Sequence, residues 1–223
     1  RIYHQGWLPA GKPQAVILIV HGLGEHSGRY QNVVEHFVPL GYAIYALDHI
    51  GHGKSEGERE MVDRLEDFTD TLHSIYQMVV DWQPGVPVYL LGHSMGGAIA
   101  SYYLLDHQDD FKGAIISAPS IAVTEGVSPV MIAMSGLLSR LTPRLGVLAL
   151  DVNGVSSDPA VVQAYVNDPL VFHGKTPARL AAELLRAAKR VAAEADTLRL
   201  PFITVQGTAD TLVSPTSAQL LYD

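Results

Sequence analysis

The sequence contains no cysteine. This absence excludes disulfide bonds, a thiol nucleophile and cysteine-ligated metal sites, while it fits any cellular compartment. An excess of positive charge is also missing, because 15 Lys and Arg residues stand against 23 Asp and Glu residues, a formal net charge of −8. We therefore expect no nucleic-acid partner, since the phosphate backbone selects basic surfaces.

Long hydrophobic runs and internal repeats are missing as well. No apolar run reaches the ~20 residues needed to cross a bilayer as a helix, so we expect a cytoplasmic protein or one that associates with a membrane only peripherally. The chain does have 223 residues, 48% of them hydrophobic, which is enough for one large domain with a substantial core.

Strand-like and helix-like segments alternate along most of the chain. Ala15–Val20, Tyr42–Leu47 and residues 88–91 are apolar runs of strand length, and the segments between them carry apolar residues at helical spacing. Residues 112–117 and 201–206 are predicted as further strands. This alternation predicts an α/β fold with a mostly parallel sheet and helices on both faces.

The alternation is interrupted between residues 120 and 175, where we predict no strand. Residues 127–150 are strongly apolar and are interpreted either as a pair of core helices or as a lid with an apolar inner face. We favour the lid, because a detour this long beside the ligand-binding edge usually has a function. The expected organisation is a core of residues 1–119 and 176–223 with a cap of residues 120–175.

A Gly-x-Ser-x-Gly pattern lies between the predicted strand 88–91 and an apolar helix. The five residues are Gly92, His93, Ser94, Met95 and Gly96. In this strand–turn–helix context the pattern marks a nucleophilic serine, although a turn that merely contains these residues remains the alternative. Strand alternation would turn His93 away from the pocket. We predict Ser94 as the nucleophile.

A serine hydroxyl needs a base, and the base needs an orienting acid. In this arrangement the acid follows the serine in sequence and the histidine follows the acid. Asp210 follows a predicted strand at the same edge and is the predicted acid. No histidine follows it, so we expect the catalytic histidine beyond residue 223 and a chain truncated at both ends. The in-chain alternatives lie on two earlier loops: His21, His26, His49 and His52.

The tetrahedral oxyanion of ester hydrolysis needs backbone N–H donors. The residue after the nucleophile supplies one donor and the loop after the Ala15–Val20 strand supplies the other, which predicts Met95 and Leu23. The His49-x-x-His52 spacing suggests a metal pair, but no neighbouring ligands complete a four-coordinate site. We therefore expect no metal in the site.

Four stretches together resemble the monoacylglycerol lipases of the α/β-hydrolase fold. They cover residues 21–30, 48–59, 91–98 and 206–210. The resemblance extends over nearly the whole chain and is weakest between residues 120 and 162. It implies hydrolysis of monoacylglycerols to glycerol and fatty acid, without metal or cofactor, with Ser94, Asp210, Leu23 and Met95 in the roles already given.

The resemblance also implies how the substrate is held. A polar pocket for the glycerol head would include Glu25, Arg29 and Tyr165, although these residues are also consistent with a purely structural role in loop packing. An apolar cap would admit the acyl chain and let the protein contact a lipid surface peripherally.

Other functions remain open at this point. A broader carboxylesterase or lysophospholipase would use the same residues, because the fold alone does not decide the ester. A proline iminopeptidase is less favoured, since its cap should offer carboxylates to a substrate amine and residues 127–150 contain none. A non-catalytic α/β-hydrolase-like binding protein would explain the missing histidine but has no need of a strained nucleophile turn.

Overall fold

The computed structural model describes residues 1–122 and 129–222, without the side chains of residues 129–133. Within them lie eight strands: β1 (His4–Trp7), β2 (Ala15–Val20), β3 (Tyr42–Leu47), β4 (Val88–His93), β5 (Gly113–Ser117), β6 (Gly146–Ala149), β7 (Lys175–Pro177) and β8 (Phe202–Val205). The helices of the same residues are α1 (Gln31–Phe37), α2 (Glu66–Trp82), α3 (Met95–His107), α4 (Pro129–Leu141), α5 (Pro159–Val166), α6 (Ala178–Glu194) and α7 (Thr216–Tyr222).

Six strands form one sheet in the order β1-β3-β2-β4-β5-β8. β1 runs antiparallel to β3 at the edge, and the other pairs are parallel. All six residues of β2 are buried, as its unbroken apolar sequence requires when both faces of the sheet are covered. The predicted α/β-hydrolase fold is confirmed.

Alternate residues of β2 face two separate cores. Val16 and Leu18 belong to the larger core, which includes the buried face of α2, for example Phe68. Ile17 belongs to the smaller core, where Val34 of α1 packs. The strand period of two residues therefore divides one apolar run between two helical layers.

The carboxyl ends of neighbouring parallel strands lie level with one another. Val20 at the end of β2 pairs with Gly92, and His93 at the end of β4 pairs with Ser117. Ser117 in turn pairs with Val205 at the end of β8. The loops that follow these strands therefore meet at one edge of the sheet, where ligands bind in folds of this kind.

The segment between residues 120 and 175 contains a strand, contrary to the prediction that it has none. β6 pairs antiparallel with β7 in a separate two-stranded sheet. Four residues are too few to give a readable period, and Val147 and Leu148 of this strand are exposed rather than buried. Residues 127 and 128 of the predicted apolar lid lie outside the described residues. No described helix combines the length and the apolar character that a membrane-crossing helix requires.

Candidate active site

Ser94 has an unusual backbone conformation between β4 and α3. Its φ of 55° and ψ of −119° are unfavourable for a residue with a side chain and cost about 1–3 kcal/mol. The surroundings hold it there: Ser94 N–H donates to the Ser117 carbonyl at 2.9 Å, and the Ser94 carbonyl accepts from the N–H groups of Ala98 and Ser120 at 3.1 Å each. The turn therefore projects the hydroxyl away from the strand and the helix.

Glycines make this turn sterically feasible. A Cβ atom on Gly92 would lie 2.7 Å from the Cβ atom of Ala100, so no larger residue fits between β4 and α3. A Cβ atom on Gly22 would lie 3.2 Å from the Cβ atom of Ser94, which shows how closely the loop after β2 approaches the serine. Both contacts explain why glycine occupies these positions.

The loop after β2 is fixed by Glu25. Its Oε1 atom accepts hydrogen bonds from Gly22 N–H at 2.7 Å and from the Tyr30 hydroxyl at 2.8 Å. The next N–H group along the loop belongs to Leu23, which lines the same cavity as Ser94 and Met95. Within the described residues, the N–H groups of Leu23 and Met95 donate to no protein acceptor. Both are free to donate to an oxyanion.

Asp210 lies in the loop after β8 and lines the cavity that contains Ser94. Its Oδ1 atom accepts from the N–H groups of Leu212 and Val213 at 2.9 and 3.0 Å. Its Oδ2 atom accepts from the Gln206 amide at 3.0 Å. Three donors thus fix the orientation of this carboxylate.

His93, the last residue of β4, is among the residues that line the cavity, and it pairs in register with Ser117 of β5. The direction that strand alternation predicts for its side chain stays a prediction. The Nδ1 atom of His93 lies 3.1 Å from Ser117 Oγ. Across residues 1–122 and 129–222, no histidine ring is hydrogen-bonded to Ser94 Oγ or to Asp210; the neighbour of Ser94 Oγ is Ser120 Oγ at 3.4 Å, a contact the sequence did not indicate.

Glu25, Arg29 and Tyr165 line the same cavity and form a polar cluster in which Arg29 contacts the other two. Arg29 Nε donates to Glu25 Oε2 at 3.2 Å, and the guanidinium carbon lies 4.7 Å from the centre of the Tyr165 ring. Tyr165 is buried, and burial, with the Glu25 charge as the next cause, raises the pKa of its hydroxyl to about 12. The hydroxyl is therefore a neutral donor at physiological pH.

The rest of the cavity is mainly apolar. Its volume is about 600 Å³, which is ample for a small amphiphilic ligand. The apolar walls come from β6 and the residue that follows it, from α6 and from the loop of Asp210: Leu148, Leu150, Ala181, Leu184, Leu185, Leu212 and Val213. A polar cluster and apolar walls in one cavity suit a ligand with a polar head and a hydrocarbon tail.

Three buried histidines lie on the loops that follow β2 and β3. His21 Nε2 accepts from His49 N–H at 2.9 Å, so its Nδ1 carries the proton and donates to the Gly22 carbonyl at 2.8 Å. Burial lowers the pKa values of His21 and His49, and that of His52 to about 3. These neutral rings join the two loops at the sheet edge.

Glu60, in the loop after β3, contacts both β7 and the loop after β2. Its Oε2 atom accepts from the Thr176 hydroxyl of β7 at 2.7 Å, and its Oε1 atom lies 3.2 Å from the place of a Cβ on Gly24. The residue is 2% exposed, and this burial raises the pKa of its carboxyl to about 7. The sequence did not single out Glu60, because its burial depends on a contact with a residue far along the chain.

Known proteins resemble this chain over its whole length. A model of the family described as serine aminopeptidase, S33, matches residues 11–223. A monoacylglycerol lipase of Mycolicibacterium smegmatis is 37% identical over 223 residues, which cover 100% of this chain and 80% of the relative. A monoglyceride lipase of Homo sapiens is 36% identical over 219 residues, which cover 97% of this chain and 72% of that protein.

A solved structure agrees with these sequence relatives. The crystal structure of the Paleococcus ferrophilus monoacylglycerol lipase superposes with a TM-score of 0.87 at 31% identity. The superposition covers 100% of this chain and 83% of that chain. The similarity therefore extends beyond the residues of the six-stranded sheet.

Glu60 makes the stability of the fold depend on pH. Between its usual pKa of 4.5 and about 7, the folded protein keeps a proton that the unfolded chain has released. The stabilisation that this proton gives is complete below the lower pKa and is lost as the pH rises through the upper pKa. The free energy of unfolding falls by up to about 3 kcal/mol over this range. We expect Glu60→Gln to remove this loss, measured by urea unfolding at about pH 5 and pH 8. Glu35→Gln, at an exposed position, should retain it; an equal loss in the Glu60→Gln protein would contradict the assignment.

Proposed function

This chain belongs to the monoacylglycerol lipase family of the α/β-hydrolase fold, and we propose that it hydrolyses monoacylglycerols through an acyl-enzyme on Ser94. The reaction is that of a carboxylic ester hydrolase and releases glycerol and a fatty acid. The observation that carries the role of Ser94 is its strained backbone in the lining of a cavity with a polar cluster and apolar walls.

The geometry supports a two-step mechanism. Ser94 Oγ attacks the ester carbonyl carbon and loses its proton to a base, and the carbonyl oxygen becomes an oxyanion. The free N–H groups of Leu23 and Met95 stabilise that oxyanion, each by up to ~3 kcal/mol in the transition state. Glycerol leaves with the proton, and water then attacks the acyl-enzyme to release the fatty acid.

The base in this proposal is a histidine contributed from beyond residue 223. Support comes from the described histidines, none of which is hydrogen-bonded to Ser94 Oγ, and from the fixed carboxylate of Asp210 in the loop after β8. A carboxylate held by three donors can orient an imidazole without moving. Asp210 therefore has the role of the orienting acid.

Arg29 and Tyr165 are proposed to bind the glycerol head. Glu25 is occupied, because Gly22, Tyr30 and Arg29 donate to its two oxygen atoms. Its role is to hold the loop and to orient Arg29. Arg29 uses only Nε for the Glu25 contact, so its other N–H groups and the Tyr165 hydroxyl can donate to the hydroxyl groups of glycerol.

The structural and sequence comparisons do not favour the other functions. The cavity has two carboxylates among the described residues, Glu25 and Asp210, and both have partners, so neither is free to bind the amine of a peptide substrate. A binding protein would have no need for a serine held at an unfavourable φ. A broader esterase would not need a polar cluster such as Glu25, Arg29 and Tyr165 in the same cavity as the apolar walls.

The cap is proposed to contact lipid surfaces peripherally. Met134, Leu137 and Leu141 recur at helical spacing along α4 and are 54%, 57% and 71% exposed. Val147 of β6, which does not line the cavity, adds apolar surface that is also exposed. Exposed apolar side chains on one helix face are typical of surfaces that enter the headgroup region of a bilayer.

Ser94→Ala tests the nucleophile. We expect hydrolysis of a monoacylglycerol by the natural full-length protein to fall by at least about 10⁴-fold, because no other group replaces the attacking oxygen. Ser74→Ala, at an exposed serine of α2, is the matched control and should leave the rate unchanged. Retention of most of the activity in the Ser94 variant would remove the central claim.

Arg29→Leu tests the glycerol end. We expect KM for a monoacylglycerol to rise about 10-fold, the loss of roughly one charge-assisted hydrogen bond. The KM for a nitrophenyl ester of the same acid should change little, because this ester has no glycerol. Arg29→Lys should restore part of the binding. An equal rise for both substrates would show that Arg29 acts only through the loop.

Paired substitution of Leu137 and Leu141 by serine tests the lipid contact. We expect binding to phosphatidylcholine vesicles, measured by co-sedimentation, to weaken about 10-fold, since two exposed leucines no longer enter the bilayer. Hydrolysis of a soluble short-chain ester should stay unchanged. Leu40→Ser replaces a leucine that is 55% exposed on the core and should not alter vesicle binding. Undiminished binding by the paired variant would rule out this surface.

A further inference from the structure

We infer that the protein carries a divalent metal-ion site at the end of α3 that is opposite Ser94, formed by His73, His107 and Asp110. One ring nitrogen of each histidine and one carboxylate oxygen of Asp110 lie within 4.8 Å of one another. Imidazole nitrogen and carboxylate oxygen are ligands that Zn²⁺ accepts. The ion would be structural and would take no part in ester hydrolysis.

The three ligands come from three elements that fold together. His73 is on α2, His107 is the last residue of α3, and Asp110 ends the short 3-10 helix Gln108–Asp110. The two imidazole rings lie 4.8 Å apart between centroids, and His107 Nδ1 is 3.5 Å from Asp110 Oδ2. Ligands bound to zinc at ~2.0–2.1 Å stand about 3.3 Å apart in a tetrahedron, so small side-chain rotations suffice.

Neighbouring side chains orient the two histidines. The Tyr103 ring stacks on His107 with centroids 4.4 Å apart and an angle of 19°. The Tyr103 hydroxyl also lies 2.7 Å from His73 Nδ1, and the Gln77 amide nitrogen lies 2.9 Å from His73 Nε2. Contacts of this kind fix the orientation of metal-binding histidines. Because the ion must replace one of the two bonds to His73, we expect weaker binding than at a site with free ligands.

The carboxylates beside the cluster are neutralised by arginines, so they neither attract nor repel a metal ion strongly. A neighbouring cavity of about 420 Å³ is lined by His73 and His107 and by three carboxylates. Each of these carboxylates has an arginine partner, in the pairs Glu66–Arg186, Asp70–Arg64 and Asp106–Arg190. The affinity therefore depends on the three ligands themselves, which makes substitution of the ligands a direct test.

The site lies far from the reaction centre. α3 begins one residue after Ser94 and runs for 13 residues to His107, about 20 Å at 1.5 Å per residue. A metal ion there would join α2 to the end of α3. It would stabilise the folded state more strongly as its affinity or its concentration increases. Sequence spacing does not indicate this cluster, because His73 and His107 belong to different helices.

Titration calorimetry of the full chain with ZnCl2 tests the site. We expect one Zn²⁺ per chain, and at least 10-fold weaker binding in His107→Gln and in Asp110→Asn. Asp110→Asn removes a charge from a side chain that is 36% exposed, so this variant should fold normally. His36→Gln removes an exposed histidine from α1 and is the matched control, with unchanged binding.

Thermal unfolding and Co²⁺ spectroscopy supply independent measurements. We expect Zn²⁺ to raise Tm in the unaltered protein and in His36→Gln, EDTA to reverse the rise, and both ligand variants to show none. Co²⁺ should give the visible absorption of a low-coordinate nitrogen and oxygen site in the same two proteins only. Equal Zn²⁺ binding by all four proteins, or the absence of stoichiometric binding, would overturn the inference.

Discussion

The backbone of Ser94 is the constraint on which the rest of the site depends. A φ of 55° is tolerable only because the Ser117 carbonyl and the N–H groups of Ala98 and Ser120 hold the turn from three sides. These partners belong to β5, to α3 and to the loop after β5. The orientation of the Ser94 hydroxyl therefore depends on the sheet, on α3 and on the loop after β5 being in place.

The same cavity is divided by chemistry. Both carboxylate oxygens of Glu25 accept hydrogen bonds, one from Gly22 and Tyr30 and the other from Arg29, and these contacts hold a cationic group at the cavity. The apolar walls are side chains of β6, of α6 and of the Asp210 loop. An ester with a hydroxylated head and a long tail fits this cavity, because the polar residues can bind the head and the apolar side chains can pack against the tail.

Local sequence patterns predicted the positions of residues at the ends of strands, whereas long-range contacts determine the remaining features. Ser94 and Asp210 were foreseeable because strand, turn and helix signals surround them. The burial of Glu60 and the pairing of β6 with β7 were not, since each depends on a residue distant in sequence. A strand of four exposed residues has no period to read, and a buried carboxylate looks like any other glutamate until its partner is placed.

Fluorophosphonate labelling of the natural full-length protein, followed by intact mass and peptide mapping, tests the account most directly. Such reagents modify a serine only when its hydroxyl is activated and its oxyanion donors are in place. We predict one adduct per chain, located on Ser94 and absent from the Ser94→Ala variant. An adduct on a different residue, or hydrolysis of monoacylglycerol by a protein that forms no adduct, would contradict the account.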